Sequence, residues 1–396
     1  MKFFKQGELK LLWPFYLDAL ISPMLFFMPA FIVIYFRDLG LSIFQISLLT
    51  ATLLLFTILF EIPTGAVADV YGRKFSVLLA QIIEGSALLS IFFLHNYYAL
   101  LFAFAMVGIG STFNSGAREA WVTDLIKKEK KDFLHRYFAK SSSIDNIGLV
   151  VSGILGAFLV KHFGLSIIWI VAGMAFFVTF ILLGFAKEHF VKRKAKIKDS
   201  LKNIIKQSKI SVRYARYHSV LFWFLIASIF LVFASEFNEF LVWTPFLQNL
   251  GFPDYAFGYM WSAMGFVGVF ASLISLKLMK KGGERKFILG IIVLAIIFLF
   301  LIVFVQTIAF ALLILLSFTF LARMAYPPER VYFHRFIKSK LRATVGSVEG
   351  MLVGIVAVVA LPLAGLSVDY LGPRFTILIA ALLMIPAAII FLKMKD

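Results

Sequence analysis

The sequence predicts an all-α membrane protein of twelve transmembrane helices, arranged as two six-helix halves. Three observations predict it. Of 396 residues, 61% are hydrophobic and 15% charged, and the mean hydropathy is +0.94. That is too little charge to cover a water-soluble surface. The apolar residues gather into twelve runs of about 20–28 residues, each long enough for a hydrocarbon core of ~30 Å. The Lys and Arg residues stand in clusters between the runs, almost all on alternate connections.

The runs fall at 11–36, 43–68, 75–94, 99–122, 138–161, 165–185, 220–247, 256–278, 287–305, 308–330, 344–370 and 375–392. Many connections are only a few residues long, so successive helices are antiparallel neighbours. Of the 39 Lys and Arg residues, all but Arg37, Lys161 and Arg374 lie on the side of the N-terminus. This asymmetry places both termini in the cytosol and the chain as a multi-pass protein of the cell membrane, plasma or inner. The net charge of +18 then reports topology, and nucleic acid is not an expected partner. The first span is too long for a signal peptide and no small-residue cleavage site follows it. Pro14, Pro23 and Pro29 share it. Each removes a backbone hydrogen bond and favours a kink.

The chain repeats itself. Phe36-Arg-Asp-Leu-Gly after span 1 is echoed by Leu247-Gln-Asn-Leu-Gly after span 7. Gly72-Arg-Lys-Phe before span 3 is echoed by Glu284-Arg-Lys-Phe before span 9, and Gly164-Leu-Ser-Ile before span 6 by Gly372-Pro-Arg-Phe before span 12. The offsets are 211, 212 and 208, which marks two parallel repeats, residues 1–185 and 220–396. Between them, residues 186–219 form the long polar segment. Ile197, Leu201, Ile204, Ile205 and Val212 recur there at helical spacing among lysines. This reads as an amphipathic helix on the anionic inner surface of the membrane, or else as a solvated charged linker.

The stretch from Glu61 to Phe75 joins spans 2 and 3. In it, Gly65 lacks a Cβ and permits close helix approach. Gly72 supplies a positive φ for a tight turn, and Asp69 can cap a helix or pair with arginine. Gly65-x-x-x-Asp69-x-x-Gly72-Arg73-Lys74 resembles the signature loop between helices 2 and 3 of the major facilitator superfamily, although Val70 stands where the family usually has a base. The resemblance extends over nearly the whole chain. Gly365-x-x-x-Asp369-x-x-Gly372-Pro-Arg374, between spans 11 and 12, is a fainter copy of the motif, as a three-plus-three build within each half requires.

The resemblance implies a secondary transporter that rocks its two halves about a midplane site, with helices 1, 4, 7 and 10 lining the cavity. It also implies that an acid at the inner end of helix 4 pairs with Arg73. Glu119 and Asp124 are the candidates, either as part of a conformational switch or as a permanent helix-end cap. Two features depart from the drug exporters of the family. The middle of span 4, Ala103 to Gly110, carries no base. Gly148, Gly153 and Gly156 of span 5 come without the exporters' proline, and their spacing equally suits close helix packing.

A carboxylate near the centre of a span costs about 2.5–3.5 kcal/mol on insertion scales and is a functional candidate by default. Asp18 lies about 10 Å into span 1 at 1.5 Å per residue. It is either a proton or substrate site or a static partner of unwound backbone. Glu236, Asn238 and Glu239 cluster in span 7, where Glu239 also nears the outer interface. Asp145 and Glu349 occupy equivalent places in spans 5 and 11, facing the cavity or the inner interface. Glu84 lies mid-span 3 and is a further proton or substrate candidate; the resemblance puts helix 3 outside the cavity ring, so it faces either the cavity or the space between helices as a protonated donor. Asn114 ends the apolar part of span 4. A carboxyl group out of water holds its proton more tightly, as a proton carrier must. Phe222, Trp223, Phe230, Phe237 and Trp243 of span 7 form either an apolar binding wall or core packing.

There is no Cys, the six His lack metal-ligand spacing, and no phosphate-cradling loop or nucleophile motif is present. No enzyme activity and no cofactor are expected. Buried acids without matching bases suit a neutral or cationic small-molecule substrate, with protons or sodium as the coupling ion; a small anion would need Arg323 to reach the cavity. The reading is a monomeric, lipid-embedded, proton-coupled antiporter exporting hydrophobic or cationic compounds. The alternatives are a proton symporter importing an organic solute and a non-transporting scaffold or sensor with the same fold.

Overall fold

The computed structural model describes residue 4 and residues 7–129, 134–189, 213–214, 216–279, 282–338 and 341–394. Twelve helical spans within these residues are long and apolar enough to cross a membrane. The fold is all-α, in the order α1 Glu8–Leu25, α2 Ile32–Asp38, α3 Ile43–Tyr71, α4 Arg73–Ile91, α5 Tyr97–Asn114, α6 Ala117–Glu129, α7 Leu134–Phe163 and α8 Ile167–Gly184. It continues with α9 Ser219–Glu236, α10 Phe240–Asn249, α11 Ala256–Leu278, α12 Glu284–Phe300, α13 Ile308–Arg335, α14 Arg342–Leu371 and α15 Pro373–Lys393. The amphipathic helix expected around 197–212 lies outside the described residues.

Three spans are broken. Span 1 leaves α1 just after Pro23, passes through a 3-10 turn at Met28–Ala30 that contains Pro29, and resumes as α2. Pro14, by contrast, sits inside α1 without ending it. It lies in the second turn, so the carbonyl its ring would crowd is near the frayed helix start. Span 4 breaks at Ser115 and Gly116, the latter at φ +67°. Span 7 breaks between Glu236 and Phe240. Local chemistry sets the other ends: the Asn96 side chain accepts from the N–H groups of Tyr98 and Ala99 to start α5. Gly72 and Gly372 turn the chain into α4 and α15 at φ +106° and +84°.

The chain divides into two compact units, one of residues 1–35, 52–201 and 255–262, the other of 36–51, 202–254 and 263–396. The first packs α1 on α7 and α8, and α4 on α5 and α8. The second packs α9 on α14 and α15, and α12 on α13 and α15. Helix for helix, these are the same four pairings one repeat apart. The start of α3 belongs with the second unit and the start of α11 with the first.

Close packing runs through glycine in span 5. A Cβ on Gly148 would stand 2.8 Å from the Leu20 carbonyl oxygen, one on Gly156 2.8 Å from the Phe27 ring, and one on Gly153 2.1 Å from the Gly258 carbonyl oxygen. The close approach expected at Gly65 is absent: a Cβ there would meet nothing within 4 Å. Its motif copy, Gly365, is the tight one: a Cβ there would stand 2.5 Å from Ser47 Oγ. Gly153→Ala should therefore cost about 1–3 kcal/mol from overpacking, whereas Gly65→Ala should stay within about 0.5 kcal/mol of the parent. Thermal unfolding of the two purified variants in detergent checks both.

Candidate functional site

The breaks in spans 4 and 7 present charge to the helix interior. The Gly116 turn starts α6 so that Arg118 reaches Asp18 of α1, and the two form an ion pair. Asp18 is 2% exposed. Asp145 of α7, half-buried, lies within electrostatic reach of both. Tyr137 is buried beside the group and packs against Tyr16, with ring centroids 5.4 Å apart and the planes tilted by 49°. The Tyr16 hydroxyl donates to Glu8 at 2.6 Å, and Lys140 Nζ reaches both Glu8 oxygens at 2.6 and 2.8 Å. The expectation that the buried acids have no matching bases is thus overturned. Arg118 was counted among the surface bases because the bend at Ser115–Gly116 carries no proline to mark it.

The second unit has a counterpart that sequence reasoning missed. Arg330 of α13 grips Glu349 of α14 with two hydrogen bonds of 2.9 and 3.1 Å. Glu329, Ser228 and Phe391 join them around a cavity of 210 Å³. Arg118 and Arg330 stand 212 positions apart, the offset of the Gly72 echo. That spacing was the signal available. The first unit thus sets an arginine from span 4 against an acid from span 1, and the second an arginine from span 10 against an acid from span 11.

The break in span 7 opens onto a different cavity of 330 Å³, lined by Asn238, Glu239, Trp243, Thr319, Arg323 and Tyr326 among others. Trp243 Nε1 donates to Asn238 Oδ1 at 3.0 Å, which fixes the indole. Glu236 does not line this cavity; Glu239 does. Arg323 reaches it as well, which removes the ground for disfavouring acidic groups on a substrate. The aromatic wall is largely corrected. Of the five residues only Trp243 lines the cavity; Phe222 and Trp223 are exposed on the outside of the helix and Phe237 is buried.

Glu84 is 7% exposed, packs its Cγ where a Gly110 Cβ would fall, and leaves Oε1 without a hydrogen bond. It lies between spans 3 and 4, as expected. Asn114 Oδ1 is likewise buried and unpartnered.

At the signature loop, Arg73 forms an ion pair with Asp124 and donates to the Ala120 carbonyl at 2.6 Å. Glu119 is exposed and is not the partner. Asp69 is exposed too, with no hydrogen bond or ion pair to the described residues. The start of α4 is instead capped by Glu188, which accepts from the N–H groups of Arg73 and Lys74 at 2.7 and 3.0 Å. Lys74 Nζ donates to the carbonyls of Gly184 and Ala186. The motif copy is the engaged one. Asp369 accepts from the N–H groups of Ile43 and Phe44 at 3.1 and 2.8 Å and so caps α3.

The family model for the Major Facilitator Superfamily matches residues 17–358. Among curated relatives, the chain is 28% identical over 98 residues to "Multidrug resistance protein MdtH" of Salmonella typhimurium, covering 25% of this chain and 24% of that protein. It is 24% identical over 260 residues to "Uncharacterized MFS-type transporter YxaM" of Bacillus subtilis, covering 63% and 61%. Both matches span less than two thirds of the relative's length. Among solved structures, the nucleoside transporter NupG superposes with a TM-score of 0.79 at 12% identity, covering 97% of this chain and 99% of that one. A bacterial homologue of the iron transporter ferroportin, in an inward-facing state, gives 0.76 at 15% identity, covering 98% and 99%. These likenesses establish the fold.

Removing one member of a buried ion pair strands the other. Arg118→Gln should destabilise the protein by about 3–5 kcal/mol, and adding Asp18→Asn should recover most of that. Thermal unfolding of the single and double variants reads the difference.

Proposed function

The chain belongs to the major facilitator superfamily, and on that premise we propose that it is a secondary transporter, a proton-coupled antiporter that exports organic compounds carrying a cationic group. The observation that carries the reading is the Arg118–Asp18 ion pair with Asp145 within electrostatic reach of both. One guanidinium serves two carboxylates, so the group has a surplus negative charge when both acids are ionised. A proton neutralises that surplus, and so does a cationic substrate group. The two compete, and competition for one charge is what exchange requires. Protonation of Asp18 also weakens its hold on Arg118, freeing the guanidinium towards Asp145. A lipophilic cation added to proteoliposomes with an imposed pH gradient should release protons from the acidic side, as read by an internal pH dye. Asp18→Asn should abolish the exchange. Unchanged exchange in that variant would reject Asp18 as the coupling residue, and co-movement of solute and protons would turn the assignment to uptake.

The two Gly-x-x-x-Asp copies supply the mechanical part of the proposal. In this state Gly365 and Asp369 hold the start of α3, while Gly65 and Asp69 hold nothing. Ser347, near the start of α14, stands 300 positions after Ser47, as Gly365 stands after Gly65 and Asp369 after Asp69. This supports two latches used in turn, one in each state of the cycle. Capping of this kind is worth about 1 kcal/mol. In the naturally Cys-free chain, a cysteine placed at Ser47 reports whether the Asp369 latch is open. Asp369→Asn should raise its labelling rate about fivefold, and an unchanged rate would set the latch aside.

A further inference from the structure

The 330 Å³ cavity at the break in span 7 is lined by both signs of charge. Glu239 supplies the carboxylate and Arg323 the guanidinium. No ion pair within 4 Å joins them; the ion pairs among the described residues lie elsewhere. Glu239 is also the residue that precedes α10, so the positive end of that half-helix opens beside it. Discontinuous membrane helices commonly hold substrate this way, with a half-helix N-terminus turned to an acidic group. Around the charges stand Trp243 and Tyr326, with Phe240 and Phe318, an aromatic lining for an apolar frame; Arg330 stands 5.4 Å from the Tyr326 ring. The indole is held by Asn238. Ser235 and Thr319 add hydroxyls. The volume lies at the small end of the range for ligand sites.

We propose that this cavity binds a compact zwitterion, one that carries an amine and an acidic group on an aromatic or apolar frame. The amine goes to Glu239, the acid to Arg323 and the α10 start, and the frame to Trp243 and Tyr326. A ligand with only a positive charge leaves Arg323 facing it uncompensated, and one with only a negative charge meets Glu239. A ligand with both satisfies the wall. The proposal rests on the transporter reading and narrows its substrate class from cations at large to molecules bearing both charges.

The test uses three probes of one shape and three charge states: phenylalanine, its methyl ester (cation) and N-acetylphenylalanine (anion). Binding to the purified full chain in lipid nanodiscs is followed by tryptophan fluorescence and calorimetry, with no gradient imposed. Phenylalanine should bind at least tenfold more tightly than either singly charged analogue. Arg323→Gln should abolish its advantage over the ester, and Glu239→Gln its advantage over the N-acetyl compound. Arg323→Lys keeps the charge and should retain part of the preference, which separates loss of recognition from loss of fold. An ester that binds as tightly as phenylalanine, or no saturable response to any probe at 10 mM (roughly the weakest affinity that supports a site), overturns the proposal. Because binding is read without a gradient, its failure is distinct from failure of proton exchange in proteoliposomes. Charge-selective binding without proton movement would leave the cavity assigned and reject the coupling.

Discussion

A charge inside a membrane helix must be compensated by another group close at hand, and that constraint organises both halves of this molecule. Asp18 is met by Arg118 and Glu349 by Arg330. Neither arginine lies in the middle of its span. Each reaches its acid from the basic end of span 4 or 10, where a long side chain keeps contact with the polar boundary. The turn at Gly116 redirects the chain two residues before Arg118, whereas Arg330 reaches Glu349 from an unbroken α13. Unwound backbone is tolerated at membrane depth only where protein or a hydrated cavity satisfies it.

Glycine handles the opposite problem, the contact of backbone with backbone where polar glue is scarce. Gly148, Gly153 and Gly156 line one side of α7 and bring α1 and α11 close against it. Helix association in lipid depends on this packing because burial from water contributes little there. The stretch that resembles an exporter motif in the sequence thus has a sufficient explanation in packing alone.

The sequence made the fold legible almost in full, because length, hydropathy and the placement of Lys and Arg are imposed by the bilayer itself. The repeat was legible too, through turn residues such as Gly72 and Gly372 that every copy must keep. The site was legible only in part. Asp18, Asp145, Glu239 and Glu349 stood out because an acid in an apolar run is conspicuous. Their partners did not, because Arg118 and Arg330 sit towards span ends where arginine is ordinary. Distance across helices decides which of them compensates an acid, and no local pattern encodes that distance. Gly65 shows the converse. Its motif was recognised, yet the contact it suggests is made by the distant copy at Gly365.

The matched spacing of the observed latch and the proposed one would have a thermodynamic consequence. Eighteen residues separate Ser47 from Gly65, and eighteen separate Ser347 from Gly365. On a helix that is about 27 Å, close to the thickness of the hydrocarbon core. If one latch is made as the other is broken, the conformational free energies on the two sides of the exchange nearly cancel. An equilibrium so balanced responds to a small difference in ligand affinity between its states. On the proposed cycle, symmetry of this kind would keep the protein from resting in either state, and whatever occupies the charged sites would set the direction of the next step.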